Sequence, residues 1–198
     1  MDRLNPTTGG GSDALATGPA EPTDPVWTAR LVLTPVGVRD VEDLVLLYSD
    51  PVVALWTGPW SRATVESWTM SMAGRWAVDG VGKWLAHDRS SRSLVGRGGC
   101  TRFDLDGEAV LLELGWVIRD ALTGRGYATE IGRAALEWAA VFFPHLPVVS
   151  FTEVHNLASQ AVMRRLGIRD AGVIHRPGLI AGRPGVHPDA PFVLYRND

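Results

Sequence analysis

The junction that decides the fold is spelled Thr123-Gly124-Arg125-Gly126-Tyr127-Ala128-Thr129-Glu130. It follows a predicted strand and opens a predicted helix. Glycine lets the backbone approach a ligand closely, and the first N–H groups of a helix lack partners inside it and attract anions. We therefore interpret the junction as a phosphate site, with a pyrophosphate as its natural ligand and Arg125 adding charge at its rim. A tight turn that binds nothing is the alternative.

Outward from this junction, the sequence alternates between strand and helix patterns. Ile131, Ala135, Trp138 and Phe142 share one face of the helix that follows. Hydrophobic periodicity, with breaks at glycine and proline, predicts the order β-α-α-β-β-β-α-β-α-β-β. The predicted strands are 31–35, 83–87, 94–103, 109–118, 147–152, 172–180 and 191–196, and the predicted helices are 39–48, 64–77, one ending near 142, and 156–167. A turn at 104–107 predicts that the strands on either side of it pair antiparallel.

Composition and charge narrow the class of protein. The 198 residues are 45% apolar and 21% charged, which is typical of one compact domain. Residues 1–26 are rich in glycine and proline and are predicted to be a disordered tail, so the domain covers 27–198. With a net charge of −3 and no basic stripe, we expect no nucleic-acid partner. No apolar run approaches the ~20 residues of a membrane span, so no membrane partner is expected.

One cysteine, Cys100, rules out an intrachain disulfide and a cysteine-rich zinc site. We expect Cys100 to pack within a strand, we expect no metal, and the low cysteine content fits a cytoplasmic location.

A dinucleotide-binding fold is the rival explanation of the glycines. The third small residue of that motif would fall on Thr129, and residues 119–123 separate the glycines from their strand. Glu153 does end the next strand, where a ribose-binding acid would lie. A nucleotide-dependent oxidoreductase therefore stays open as an alternative.

Four segments taken together resemble the GNAT N-acetyltransferase superfamily, and most closely its RimJ/RimL-like branch. They are Glu113–Ile118, Gly124–Glu130, Asn156–Ser159 and Arg165–Ile168, supported by Arg30–Pro35 and Asp50-Pro51. The resemblance covers about 27–198. It implies an α/β (α+β) fold with a mixed, mostly antiparallel, twisted sheet of about seven strands flanked by about four helices. It also implies a splay between the central strands 109–118 and 147–152.

The resemblance implies acetyl-CoA as the acyl donor. The family's Gln/Arg-x-x-Gly-x-Gly/Ala motif falls on Thr123, Gly126 and Ala128, with Thr123 in place of the usual Gln or Arg. The family also implies that pantetheine is held by the backbone of two strand residues and by one asparagine. The full cofactor set expected here is Val117, Ile118, Thr123, Gly124, Arg125, Gly126, Tyr127, Ala128, Thr129, Asn156 and Ser159.

Acetyl transfer to an amine needs a proton acceptor and a group that stabilises the leaving thiolate. Glu113 is the candidate base, because its strand is apolar on both faces and burial would raise the pKa of its carboxyl; an ordinary surface charge or a water chain are the alternatives. The family's tyrosine acid would fall on Met163, which cannot donate a proton. Ser159 is the nearest replacement, and the resemblance to RimL-like enzymes, which have a serine there, implies that Ser159 donates to the thiolate.

The acceptor is expected to be a protein N-terminus or a small-molecule amine. Trp56 and Trp60 lie in a predicted loop that borders the acceptor site in related enzymes, and filling of the core is their alternative role. The protein is expected to be a monomer or a homodimer. A non-catalytic acyl-CoA-binding sensor on the same fold is the other alternative, since Thr123 and Met163 depart from the family pattern.

Overall fold

The computed structural model describes residues 23–104, 107 and 110–197. Most of the predicted tail, residues 105 and 106 of the predicted turn at 104–107, and the first residue of the predicted strand at 109 lie outside these residues. The strands are β1 Val26–Trp27, β2 Leu31–Pro35, β3 Lys83–Asp88, β4 Leu94–Phe103, β5 Leu111–Ile118, β6 Val148–Glu153, β7 Arg169–Ile180 and β8 Arg183–Asn197. The helices are α1 Val41–Tyr48, α2 Pro51–Thr57, α3 Arg62–Asp79, α4 Tyr127–Phe142 and α5 Leu157–Arg165, with short 3-10 turns at Val38–Asp40 and Asp120–Leu122.

All eight strands form one sheet in the order β1-β2-β3-β4-β5-β6-β8-β7. Every neighbouring pair is antiparallel except β5 and β6. These two strands pair only at Leu112 with Val148 and at Glu113 with Val149, although β5 runs on to Ile118 and β6 to Glu153. The two central strands therefore separate beyond Glu113, which confirms the predicted mixed sheet and its splay.

Helices cover both faces of the sheet. On one face α4 packs Ile131, Ala135 and Trp138 against Leu112 and Leu114 of β5. Trp138 also meets Trp84 and Trp76 at centroid distances of 5.5 and 5.8 Å, so three of the eight tryptophans fill the core. On the opposite face α1, α2 and α3 cover a second cluster around Leu85 and Leu94.

The prediction missed helix α2, which covers Pro51–Thr57 and contains Trp56. Asp50-Pro51 was expected to end a helix, but it begins one. The Asp50 side chain accepts from the N–H groups of Val52 and Val53, and proline suits the first helical position. The structure also contains the two-residue strand β1, and its last two strands form a longer hairpin than predicted.

Candidate active site

The junction between β5 and α4 exposes a row of backbone donors. Gly126 is the N-cap of α4 with a φ of +81°, and Gly124 has a φ of +73°, values that favour glycine. Within the residues that the structure describes, the N–H groups of 124–129 donate to no protein acceptor. They converge at a helix N-terminus, which is an anion site.

A charged network from the N-terminal segment holds this junction in place. Glu130, in the first turn of α4, accepts hydrogen bonds from Thr28 Oγ1 at 2.6 Å, from Arg30 N at 2.8 Å and from Arg30 Nε at 2.7 Å. Arg30 Nη1 donates to the carbonyl of Arg125, and its guanidinium lies 4.3 Å from the centroid of the Tyr127 ring. The pKa of the Glu130 carboxyl lies below its usual value because these hydrogen bonds and the Arg30 charge outweigh its partial burial. The loop formed by 124–129, which we call the anion loop, is thus held in place by residues outside it, and its backbone amides stay free.

The first cavity, of about 540 Å³, runs from these amides along the end of β5, residues 116–118, to the first turns of α5. Ten of the eleven residues predicted to bind the cofactor line it; they are Val117, Ile118, Thr123, Gly124, Gly126, Tyr127, Ala128, Thr129, Asn156 and Ser159. The eleventh, Arg125, lies outside the lining and is exposed. Thr123 Oγ1 donates to the carbonyl of Asp120, so its side chain closes the preceding turn.

A second cavity, of about 360 Å³, opens on the other side of the splay. The residues that line both cavities are Trp56, Thr57, Trp116, Val117, Asn156 and Ser159. The second cavity also has charged walls, formed by Arg75, Lys83, Arg97, Glu113 and Glu153. A ligand in the first cavity therefore meets a ligand in the second at Val117 and Ser159.

Glu113 is paired with Lys83, which the sequence analysis did not foresee. Lys83 Nζ lies 2.7 Å from Glu113 Oε2 and 2.8 Å from the carbonyl oxygen of Gly99, and its side chain is only 8% exposed. Burial raises the pKa of the Glu113 carboxyl, but Lys83, Arg97 and the hydrogen bond from Thr101 outweigh it, so this pKa lies below its usual value. The predicted rise in pKa is wrong, and the base role that depended on it loses its physical support.

The Asn156–Ser159 turn stands at the meeting point of the two cavities. Asn156 Oδ1 caps α5 by accepting from the N–H of Ser159 at 3.1 Å. The hydroxyl of Ser159 has no partner among the described residues and is therefore available to a ligand. Met163 is buried with Ile168 and Tyr195 and lines neither cavity. Ser159 thus presents a free hydroxyl from α5 where the two cavities meet.

The two predicted acceptor tryptophans have different positions. Trp56 lines both cavities and stacks on His155 at a centroid distance of 5.3 Å. Trp60 lines neither; its ring stacks on Tyr48 at 4.2 Å, so the prediction that it lines the pocket is wrong. Cys100 is buried in the core as predicted, and burial raises the pKa of its thiol to about 12.

Sequence reasoning overlooked the cations Lys83 and Arg97. Both lie in apolar or glycine-rich strand sequence, Lys83-Trp84-Leu85-Ala86 and Val95-Gly96-Arg97-Gly98-Gly99. A lone charge within such a strand is costly to bury unless it has a partner or a function, which is the signal that could have found them.

Groups that could hold a metal ion are absent from the described residues, and no described helix is both long and apolar enough to cross a membrane.

An anion loop at a helix start, a splayed parallel strand pair and two meeting cavities define an acyl-CoA-type transferase site. The sequence matches the family model of the acetyltransferase (GNAT) domain over residues 30–169. This chain therefore belongs to the GNAT acetyltransferase family and is an acyltransferase dependent on acetyl-CoA, as the sequence predicted.

Solved structures share the fold. A GnaT-family acetyltransferase from Bordetella pertussis is 20% identical with a TM-score of 0.72, and the match covers 88% of this chain and 99% of that one. An acetyltransferase from Agrobacterium tumefaciens is 23% identical with a TM-score of 0.69, and the match covers 95% of this chain and 99% of that one. RimL, a ribosomal L7/L12 alpha-N-protein acetyltransferase solved with coenzyme A, is 16% identical with a TM-score of 0.69, and the match covers 86% of this chain and 94% of that one. The neighbours thus include the branch that the sequence resembles.

Proposed function

We propose that this protein transfers the acetyl group of acetyl-CoA to a primary amine, on a small molecule or a protein N-terminus, by direct attack. The amine nitrogen bonds to the acetyl carbon, the carbon–sulfur bond breaks, and sulfur leaves with the electron pair while the nitrogen's proton passes to water. The observation that carries the proposal is the meeting of two cavities at Val117 and Ser159. One cavity begins at free backbone amides that suit a pyrophosphate, and the other has room and charge for an acceptor.

The roles of individual residues follow from their positions. The amides of 124–129 bind the pyrophosphate, and Val117, Ile118 and Asn156 line the path of the pantetheine. The free hydroxyl of Ser159 donates a hydrogen bond to the leaving sulfur. Trp56 forms a wall between the two ligands. Glu113 acts as the counter-ion of Lys83, and water in the open cavity accepts the proton. The cytoplasmic location and the monomeric or homodimeric state stay predictions.

The test combines ligand binding with turnover. Purified protein is heated with acetyl-CoA, CoA or NADPH, because a ligand that binds only the folded state raises the midpoint of unfolding. CoA thiol release is then followed with a panel of small amines and of short peptides that differ in their first residue. We expect stabilisation by acetyl-CoA and CoA, and release of thiol with at least one amine.

The alternatives predict different results. Stabilisation by NADPH but not by acetyl-CoA would favour an oxidoreductase and overturn the proposal. Stabilisation by acetyl-CoA without thiol release from any amine would favour the sensor. Ser159→Ala supplies the internal control, since it should lower thiol release and leave acetyl-CoA binding in place.

A further inference from the structure

The second cavity contains one cation, Arg97, and one anion, Glu153, that form no ion pair among the described residues. Lys83 and Glu113 neutralise each other at 2.7 Å, and Arg75 lies 3.9 Å from Asp79. Arg97 uses only its Nε, which donates to the Tyr48 hydroxyl. No ion pair or hydrogen bond engages the two terminal amino groups of Arg97 or the Glu153 carboxylate among the described residues.

The surroundings of Arg97 fix its side chain. Tyr48 is buried, and its ring is held by Trp60 at a stacking distance of 4.2 Å. The guanidinium lies 5.6 Å from the centroid of that same ring. A guanidinium anchored through Nε presents its two remaining amino groups as a fork, which matches a carboxylate or phosphate in two parallel hydrogen bonds.

The strand register places the two free charges on opposite sides of the reaction point. Arg97 is the direct partner of Val117 across β4 and β5. Extending the β5–β6 register from Glu113 and Val149 by four residues brings Val117 level with Glu153 across the splay. Glu153 ends β6, three residues before the Asn156 cap of α5, and its Oε1 lies close to Gly178 of β7.

We infer that the acceptor is a compact amine that also bears an acidic group, a carboxylate or a phosphate, with Arg97 binding the acid and Glu153 attracting the ammonium. This inference rests on the proposed function, since it assigns a substrate class to the same site. Glu153 and Ser159 both line the second cavity, so an ammonium drawn to Glu153 enters the cavity in which the acetyl group is transferred. The 360 Å³ volume fits a small molecule with both groups a few bonds apart.

The experiment compares matched acceptors that differ only in the acid. Each of several L-amino acids is paired with its α-carboxamide, and phosphoethanolamine is paired with ethanolamine. CoA thiol release is measured at saturating acetyl-CoA. We expect at least one acidic amine to exceed its neutral counterpart by about 30-fold in kcat/KM, as a charge-assisted pair supports. The pair that shows the effect distinguishes a carboxylate from a phosphate.

Arg97→Gln should abolish this preference, so that each acidic amine and its neutral counterpart have kcat/KM values within about threefold of each other. Arg102→Gln is the matched control on the same strand, because Arg102 is exposed, lies beside Asp79 at 4.0 Å and lines neither cavity. It should retain the preference. Equal acetylation of acidic and neutral amines, or the same loss in both variants, would overturn the inference and leave the acetyltransferase proposal standing.

Calorimetric titration of the same amines into CoA-saturated protein distinguishes a failure of the proposed acceptor class from a failure of the proposed acetyltransferase function. Arg97-dependent binding of an acidic amine without thiol release would support the acceptor class and count against the proposed function. Acetylation of peptide N-termini while every free amino acid and phosphoethanolamine stays inert would overturn the compact acceptor.

Discussion

The Lys83–Glu113 pair gives the sharpest test of how the site is built. Glu113→Gln keeps the shape of the side chain but removes its negative charge, so the buried ammonium keeps only neutral acceptors, the backbone carbonyl oxygens of Gly99 and of residue 113 and the new amide oxygen. Removing one partner of a buried pair costs about 3–5 kcal/mol. Because Glu113 is 21% exposed and Lys83 keeps two bonds, we expect a loss of about 2–3 kcal/mol in the free energy of unfolding.

For a chain of this size the loss corresponds to a fall of about 5–10 °C in the unfolding midpoint. The double variant Lys83→Met with Glu113→Gln removes the uncompensated charge and should recover most of the stability. Thermal denaturation of the native protein, the two single variants Lys83→Met and Glu113→Gln, and the double variant gives a double-mutant cycle. CoA thiol release with the preferred amine is measured on each of the four. We expect the double variant to keep turnover within about tenfold of the native protein.

The outcome that would refute this reasoning is specific. If Glu113 is the general base, Glu113→Gln should lower kcat by at least ~100-fold, and the double variant should be equally inactive although its stability is restored. The pH dependence adds a second check. Because the folded-state pKa of Glu113 is lowered, its stabilisation is present above the unfolded pKa of about 4.3 and is lost as the pH falls through the folded value. The difference between native protein and Glu113→Gln should therefore shrink below about pH 4.

Three further predictions concern the loop, the donor and the core. Glu130→Ala should lower the free energy of unfolding by about 2 kcal/mol and weaken acetyl-CoA binding about three- to tenfold, as measured by denaturation and calorimetry. Glu137→Ala, which changes an exposed glutamate of the same helix, should alter neither quantity. Equal effects of the two substitutions would contradict the bracing role of Glu130. Ser159→Ala should lower kcat about 10- to 100-fold with acetyl-CoA affinity within threefold, and full turnover would remove Ser159 from the chemistry. Cys100 should resist iodoacetamide at pH 8 in the folded protein, because its thiol pKa is about 12; rapid alkylation would show that the core opens.

Local patterns predicted most of the fold. The apolar run of β5, the amphipathic face of α4 and the glycines before it are short-range signals, and they placed the glycine junction at the N-terminus of α4, where the structure has it. Helix α2 was missed because Asp50-Pro51 is equally suited to end one helix or to begin the next. Its existence depends on packing of Val53 into the cluster around Leu85, which is a tertiary contact.

The acceptor side was harder to predict, because its character comes from residues distant in sequence. Glu113 and Lys83 are separated by 30 positions, and strand register alone brings them together. Apolar neighbours of Glu113 in the sequence indicated desolvation, but the sign of the pKa shift is set by a cation on another strand. Trp60 illustrates the same limit. Its ring stacks on Tyr48, a contact that places Trp60 outside the lining of the second cavity.

Titration of acetyl-CoA into three proteins tests the central claim most directly. Ala128 lines the first cavity at the start of α4, and Ala140 is exposed near the end of the same helix, outside all the cavities described. We predict that the native protein binds one acetyl-CoA per chain, that Ala128→Trp weakens binding by at least ~100-fold, and that Ala140→Trp binds like the native protein. Undiminished binding by Ala128→Trp, or no binding by the native protein, would contradict the assignment of the loop.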